Sequence, residues 1–333
     1  MHHVTIHDLK FAAIPYCWYS SSGLPYTRWA RVGMPKIPRT VIDTIFFLFR
    51  DREAAERGDN PGGTGFIVAV PSERTHSAFP HYYAVSCHHA VCTGGYSCIR
   101  LNRTGGGSEI IELGPDEWRF EPSRGDIAAC LLDIDDAALQ VSAIPLGQFL
   151  TRERASQDEI GVGEDVFMVG LFLDAAWQVA KTRNTPMARF GNISAMPSPD
   201  ALFRISGIGG RREYLIVDMH SRDGFSGSPV FVFRTPMADF TKPIEKQPLL
   251  GGSVFYFLGI HCGQFPELWG VKRRARRARA ESAALIEGDC IIGLSGLTLA
   301  APAWDIAELL QCERFKQERA RVEATRPIPI MLE

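Results

Sequence analysis

The stretch Asp223-Gly224-Phe225-Ser226-Gly227-Ser228-Pro229-Val230 decides how the rest of the chain is read. A serine hydroxyl is a poor nucleophile at neutral pH. It needs a base beside it and donors aimed at the oxygen that turns negative when a carbonyl is attacked. Gly224, two residues before Ser226, lets the chain turn tightly enough to present the amides of Gly224 and Ser226 side by side, so that main chain alone binds an oxyanion. An ordinary Gly/Ser/Pro loop has the same composition. The segments upstream decide between the two.

Two apolar strands precede it, each carrying one chemical group at its end. Tyr83-Ala84-Val85-Ser86-Cys87-His88-His89-Ala90-Val91 reads as a strand ending in histidine, and Gly125-Asp126-Ile127-Ala128-Ala129-Cys130-Leu131-Leu132 sets an aspartate at the mouth of another. The order His89, Asp126, Ser226 is that of the chymotrypsin-type triad and differs from the subtilisin and α/β-hydrolase orders. The α/β-hydrolase elbow G-x-S-x-G also fails, because Ser228 stands where its second glycine belongs.

On these residues the chain resembles the chymotrypsin-fold (trypsin-like) serine peptidases of the bacterial kind. Gly62-Gly63-Thr64-Gly65-Phe66-Ile67-Val68, which opens the first barrel, shares the likeness, as does the cleft-lining strand Leu258-Gly259-Ile260-His261-Cys262-Gly263. The resemblance implies an all-β fold of two six-stranded antiparallel barrels, with an N-terminal extension (residues 1–40) and a C-terminal helix. The first barrel (41–150) would carry His89 and Asp126. The second (151–333) would carry Ser226 and end in a helix over Ala303 to about Val322. It also implies peptide-bond hydrolysis through an acyl-enzyme. Ser226 would be the nucleophile, His89 the base and Asp126 the residue that orients it, with the oxyanion held by the amides of Gly224 and Ser226. No cofactor is required.

Of the two adjacent histidines, strand alternation puts His88 and His89 on opposite faces, so one alone can meet Ser226. The family pattern Thr/Ser-x-x-His, matched by Ser86-Cys87-His88-His89, selects His89. Asp126 is preferred over Asp116, Asp133 and Asp135 because it alone begins an apolar run. Digestive members keep an aspartate before the nucleophile and, in the arginine- and lysine-specific ones, an acid six residues before it. Here those positions are Phe225 and His220, which argues against zymogen activation by that ion pair and against tryptic specificity. His261, with Gly263 beyond it and Ser221 five residues before the nucleophile, resembles the glutamyl endopeptidases, which bind acidic side chains with such groups. A satisfied core histidine is the plainer reading of His261.

Composition narrows the alternatives. The chain has 333 residues, 45% hydrophobic and 22% charged, with net charge −2, and is rich in glycine (31) and proline (21). That suits many short strands joined by turns and argues against disorder and wholesale nucleic-acid binding. No apolar run approaches the ~20 residues of a membrane helix. The start of the chain lacks the basic-then-apolar pattern of a secretion signal, so a cytoplasmic location is expected, alongside a secreted form with its signal trimmed. The eight cysteines are scattered and read as reduced, buried thiols. The cluster Cys87-His88-His89-x-x-Cys92, with Cys98 beyond, has metal-ligand residue types. One strand cannot aim neighbouring residues at a single ion, so no metal is expected.

Residues 1–40 are aromatic-rich and carry no chemical motif. Lys272 to Arg279 holds six positive charges in eight residues. It reads as a solvated insertion or a dock for an acidic partner. Two rival functions stand beside the peptidase: a catalytically silent binding or scaffold protein on the same fold, and an esterase built on Ser226, Asp239 and His261. The esterase would need a βαβ pattern that the chain lacks.

Overall fold

The computed structural model describes residues 36–73, 76–134, 137–156, 160–173, 182–204, 210–233, 255–270 and 290–325. The chain divides into two units, residues 1–35 and 36–333, and the described residues all belong to the second. Residues 1–35 of the aromatic extension, Asp239 and the basic run 272–279 lie outside the described residues.

The first half builds an open sheet. Its strands are β1 (Ile45–Phe49), β2 (Gly63–Ser72), β3 (His76–Ser86), β4 (Cys98–Asn102), β5 (Ser108–Ile111), β6 (Arg119–Phe120), β7 (Ala128–Leu132) and β8 (Ile144–Pro145). They pair in the order β5-β4-β1-β2-β3-β7-β6, with β8 alongside β2. β1, Ile-Phe-Phe-Leu-Phe, is buried at every position. A strand covered on both faces gains from a continuous apolar run rather than an alternating one.

The second half closes. β9 (Asp165–Gly170), β10 (Met187–Ala195), β11 (Leu215–Asp218), β12 (Pro229–Phe233), β13 (Phe255–Gly270) and β14 (Cys290–Pro302) form a barrel in the order β10-β11-β14-β13-β12-β9. Val166, Met168, Val217, Val230, Val232 and Leu258 fill it. The mostly-β expectation holds, and this half is the expected six-stranded barrel. The expected first barrel is corrected to an eight-stranded sheet that does not close among the described residues. Its end strands β5 and β6 are separated by Gly114 and Pro115, which break the extended chain, and β6 has two residues to offer.

The halves meet through aromatic rings. Phe66 of β2 lies 5.2 Å from Phe257 of β13, and Phe149 lies 4.7 Å from the same ring. The single C-terminal helix expected over Ala303–Val322 is two, Ala303–Leu310 and Glu313–Thr325, interrupted at Gln311 and Cys312. The second docks on the first sheet. Arg319 donates to the Tyr83 hydroxyl (3.0 Å), Phe315 sets its ring edge-on to Tyr83, and Glu323 accepts from Ser72 and meets His81 Nε2 at 2.8 Å. No described helix is long and apolar enough to cross a membrane.

Candidate active site

His89 and Asp126 are brought together. The chain leaves β3 at Ser86 and coils into a helical turn, His89–Thr93. The turn directs the His89 ring onto the carboxylate, with Nδ1 hydrogen-bonded to Asp126 Oδ2. The His89 amide also donates to Asp126 Oδ1 at 2.8 Å. Asp126 is fully buried, whereas the His89 side chain is 40% exposed. The far edge of the ring can therefore be reached by a substrate. Burial alone would lower the His89 pKa, but the hydrogen bond and the charge of Asp126 outweigh it and raise it above its ordinary 6.5.

His88 goes elsewhere. Its ring lies 4.0 Å from that of Phe120, and burial lowers its pKa. Strand alternation is not what separates the two histidines, because both lie beyond the end of β3; the helical turn does so.

The loop holding Asp126 is gripped from the second half. Arg212 Nη2 donates to the Pro122 carbonyl at 2.7 Å and Nη1 to that of Ser123. Behind the carboxylate stand two thiols, and the Sγ atoms of Cys87 and Cys262 and an Asp126 oxygen all lie within 4.8 Å of one another. Burial, then Cys262 and Asp126, push the Cys87 thiol well above its usual range and keep its proton on. Both Asp126 oxygens are committed to His89, Oδ1 to its amide and Oδ2 to its ring. The cluster suggested by sequence disperses: His88 rests on Phe120, Cys92 turns towards Pro115, and Cys98 is buried in β4.

Ser226 lies beside the histidine turn. Its carbonyl oxygen and the Ala90 Cβ sit 3.2 and 3.6 Å from the point where a Gly63 Cβ would stand. Its hydroxyl makes no hydrogen bond to His89 among the described residues. The loop around it is tied down on nearly every side. The carbonyls of Asp223, Gly224, Phe225 and Ser226 accept from Leu173 N, Thr64 Oγ1, Ser228 N and Thr64 N respectively. Of the five amides from 224 to 228, Phe225 donates to Arg222, Gly227 to His261 and Ser228 to Phe225. Those of Gly224 and Ser226 have no acceptor among the described residues. These are the two amides that the sequence pattern singles out.

Gly224 and Gly227 are required here. Their φ values are +93° and +86°. A Cβ on Gly227 would fall 2.1 Å from the Thr64 carbonyl, and one on Gly224 would fall 2.8 Å from that of Leu171.

The remaining expected residues lie along β11–β14. Cys262 points at Asp126, and the β13–β14 ladder shifts register between its neighbours His261 and Gly263. His261 is 1% exposed and neither ring nitrogen has a hydrogen-bond partner among the described residues. Burial depresses its pKa to about 4. The Phe225 carbonyl opposes that shift without reaching hydrogen-bond geometry, and the nearby His89 adds to it. Ser221 is buried, with a long contact of 3.5 Å to the Arg222 carbonyl. His220 is exposed, its Cε1 3.2 Å from where a Gly296 Cβ would stand. The Gly263 carbonyl accepts from Thr298 Oγ1 at 3.0 Å.

The His261 shift has a consequence for stability. Between pH 6.5 and about 4 the unfolded chain holds a proton on this ring that the folded chain does not, so stability is complete above 6.5 and falls as the pH falls. The full loss is on the order of 3 kcal/mol. Urea unfolding should show His261→Phe losing about that much less than the parent between pH 7 and pH 4. An unchanged difference would mean that the ring is solvated.

No protein-family model and no curated protein matches the chain. Among solved structures 69 chains match. One is the crystal structure of the Rv3671c protease in an inactive form, at 14% identity and a TM-score of 0.35, covering 81% of this chain and 88% of that one.

Proposed function

We propose that the chain is a serine endopeptidase. Ser226 attacks the scissile carbonyl. His89 takes its proton and returns it to the leaving amine, and buried Asp126 fixes the ring's tautomer and stabilises the imidazolium. The single observation that carries this reading is the pair of open amides, Gly224 and Ser226, in a loop whose other amides from 224 to 228 are all bonded. Such preorganised donors supply much of the stabilisation in acyl transfer. The pairing of a buried aspartate with a half-exposed, pKa-raised histidine supports the assignment of the base.

The substrate is a protein or peptide. Within the same proposal, an acidic side chain before the scissile bond is bound by His261 and Ser221. A buried imidazole with two unpaired nitrogens is an incomplete hydrogen-bonding site, and a carboxylate completes it. A bound carboxylate also raises the ring's pKa from about 4, so acidic substrates are favoured further as the pH falls.

A peptide-library digest tests both parts. Cleavage after Glu or Asp that is lost in His261→Ala, while cleavage after small residues survives, supports them. Cleavage after Arg, Lys or large apolar residues removes the specificity proposal, and no cleavage at any pH removes the peptidase.

A further inference from the structure

Thr64 lies in the Gly62-Gly63-Thr64-Gly65 run, at the start of β2 and on the opposite half of the molecule from Ser226. It is fully buried. Its amide donates to the Ser226 carbonyl at 2.9 Å. Its hydroxyl donates to the Gly224 carbonyl at 2.7 Å and accepts from the Leu171 amide at 2.8 Å. Its carbonyl accepts from Ser86 Oγ at 2.7 Å, next to the histidine turn. With one donor and one acceptor partner, the hydroxyl has no freedom to rotate.

We propose that Thr64 is a positioning residue for the oxyanion hole, holding the peptide between Gly224 and Phe225 so that the Gly224 and Ser226 amides stay turned to the reacting carbonyl. A peptide is planar, so fixing the Gly224 carbonyl also fixes the Phe225 N–H. That peptide separates the two open amides, and its rotation would carry them out of alignment. Thr64 grips the loop twice, at the carbonyls of 224 and 226, and the grip comes from the half that carries His89 and Asp126. Docking of the two halves and alignment of the oxyanion donors are thereby one event. The assignment rests on the reading of Ser226 as nucleophile.

The test compares Thr64→Val, which keeps shape and amide but removes the hydroxyl, with Thr64→Ser, which keeps the hydroxyl. Valine is expected to lower both kcat/KM and the rate of labelling by a fluorophosphonate by about 10- to 100-fold. Serine is expected to stay close to the parent. Affinity for a peptidyl boronate, which forms a tetrahedral adduct, should fall by the same factor. Binding of an uncleaved peptide to the Ser226→Ala form should be unaffected by the added valine. If valine prevents folding, Thr64→Ala gives the same comparison. Equal labelling of parent and valine variant would overturn the assignment, as would equal losses of boronate and uncleaved-peptide affinity or a serine variant as slow as valine. A parent protein inert to the phosphonate would overturn the peptidase reading itself.

Discussion

Ser226→Ala is expected to lower kcat on the order of 10⁶-fold while leaving the fold and the binding of uncleaved peptide intact. In the proposed mechanism this side chain is the attacking group, and it belongs to one of the two residues whose amides have no acceptor among the described residues. Ser228, the alternative two residues on, is fully buried, and its Oγ has no hydrogen-bond partner among the described residues. Loss of the hydroxyl should leave unfolding unchanged, because Ser226 is held through its carbonyl to Thr64 N rather than through its side chain. A small kinetic effect would point to another nucleophile.

Asp126→Asn is expected to cost about 10⁴-fold in kcat and to move the pH profile. In the parent, His89 must be neutral to act as base, and its pKa lies above 6.5 because Asp126 outweighs burial. The acid limb of kcat/KM should therefore lie above 6.5. With asparagine the raising influences are gone and desolvation remains, so the limb should move below 6.5. Rate and limb should shift together. A fall in rate with the limb unmoved would mean that another group sets it.

The site was legible in sequence to the extent that its chemistry was local. The open amides follow from a glycine two residues before a serine, and Asp126 was distinguished by the apolar run behind it. The pattern Ser86-x-x-His89 singles out the histidine that meets Asp126, whereas strand alternation does not describe how His88 and His89 part, since the chain begins a helical turn before reaching His89. That turn has no periodic signature in five residues. The contacts of Thr64 were not legible, because its partners lie 107 and 160 residues away. The two thiols behind Asp126 come from β13 and the end of β3, a meeting that sequence spacing cannot encode. The open first sheet among the described residues was hidden for a comparable reason. Two-residue strands such as β6 and β8 carry no alternation to read.

The most direct test of the central claim is the mass-spectrometric location of the covalent adduct formed by a fluorophosphonate on the native chain above the His89 pKa. One adduct on the Ser226 peptide, absent from Ser226→Ala and slowed in Asp126→Asn, is the predicted result. Labelling of Ser228 or any other residue with Ser226 unmodified, or a chain left unlabelled across the pH range, would contradict it.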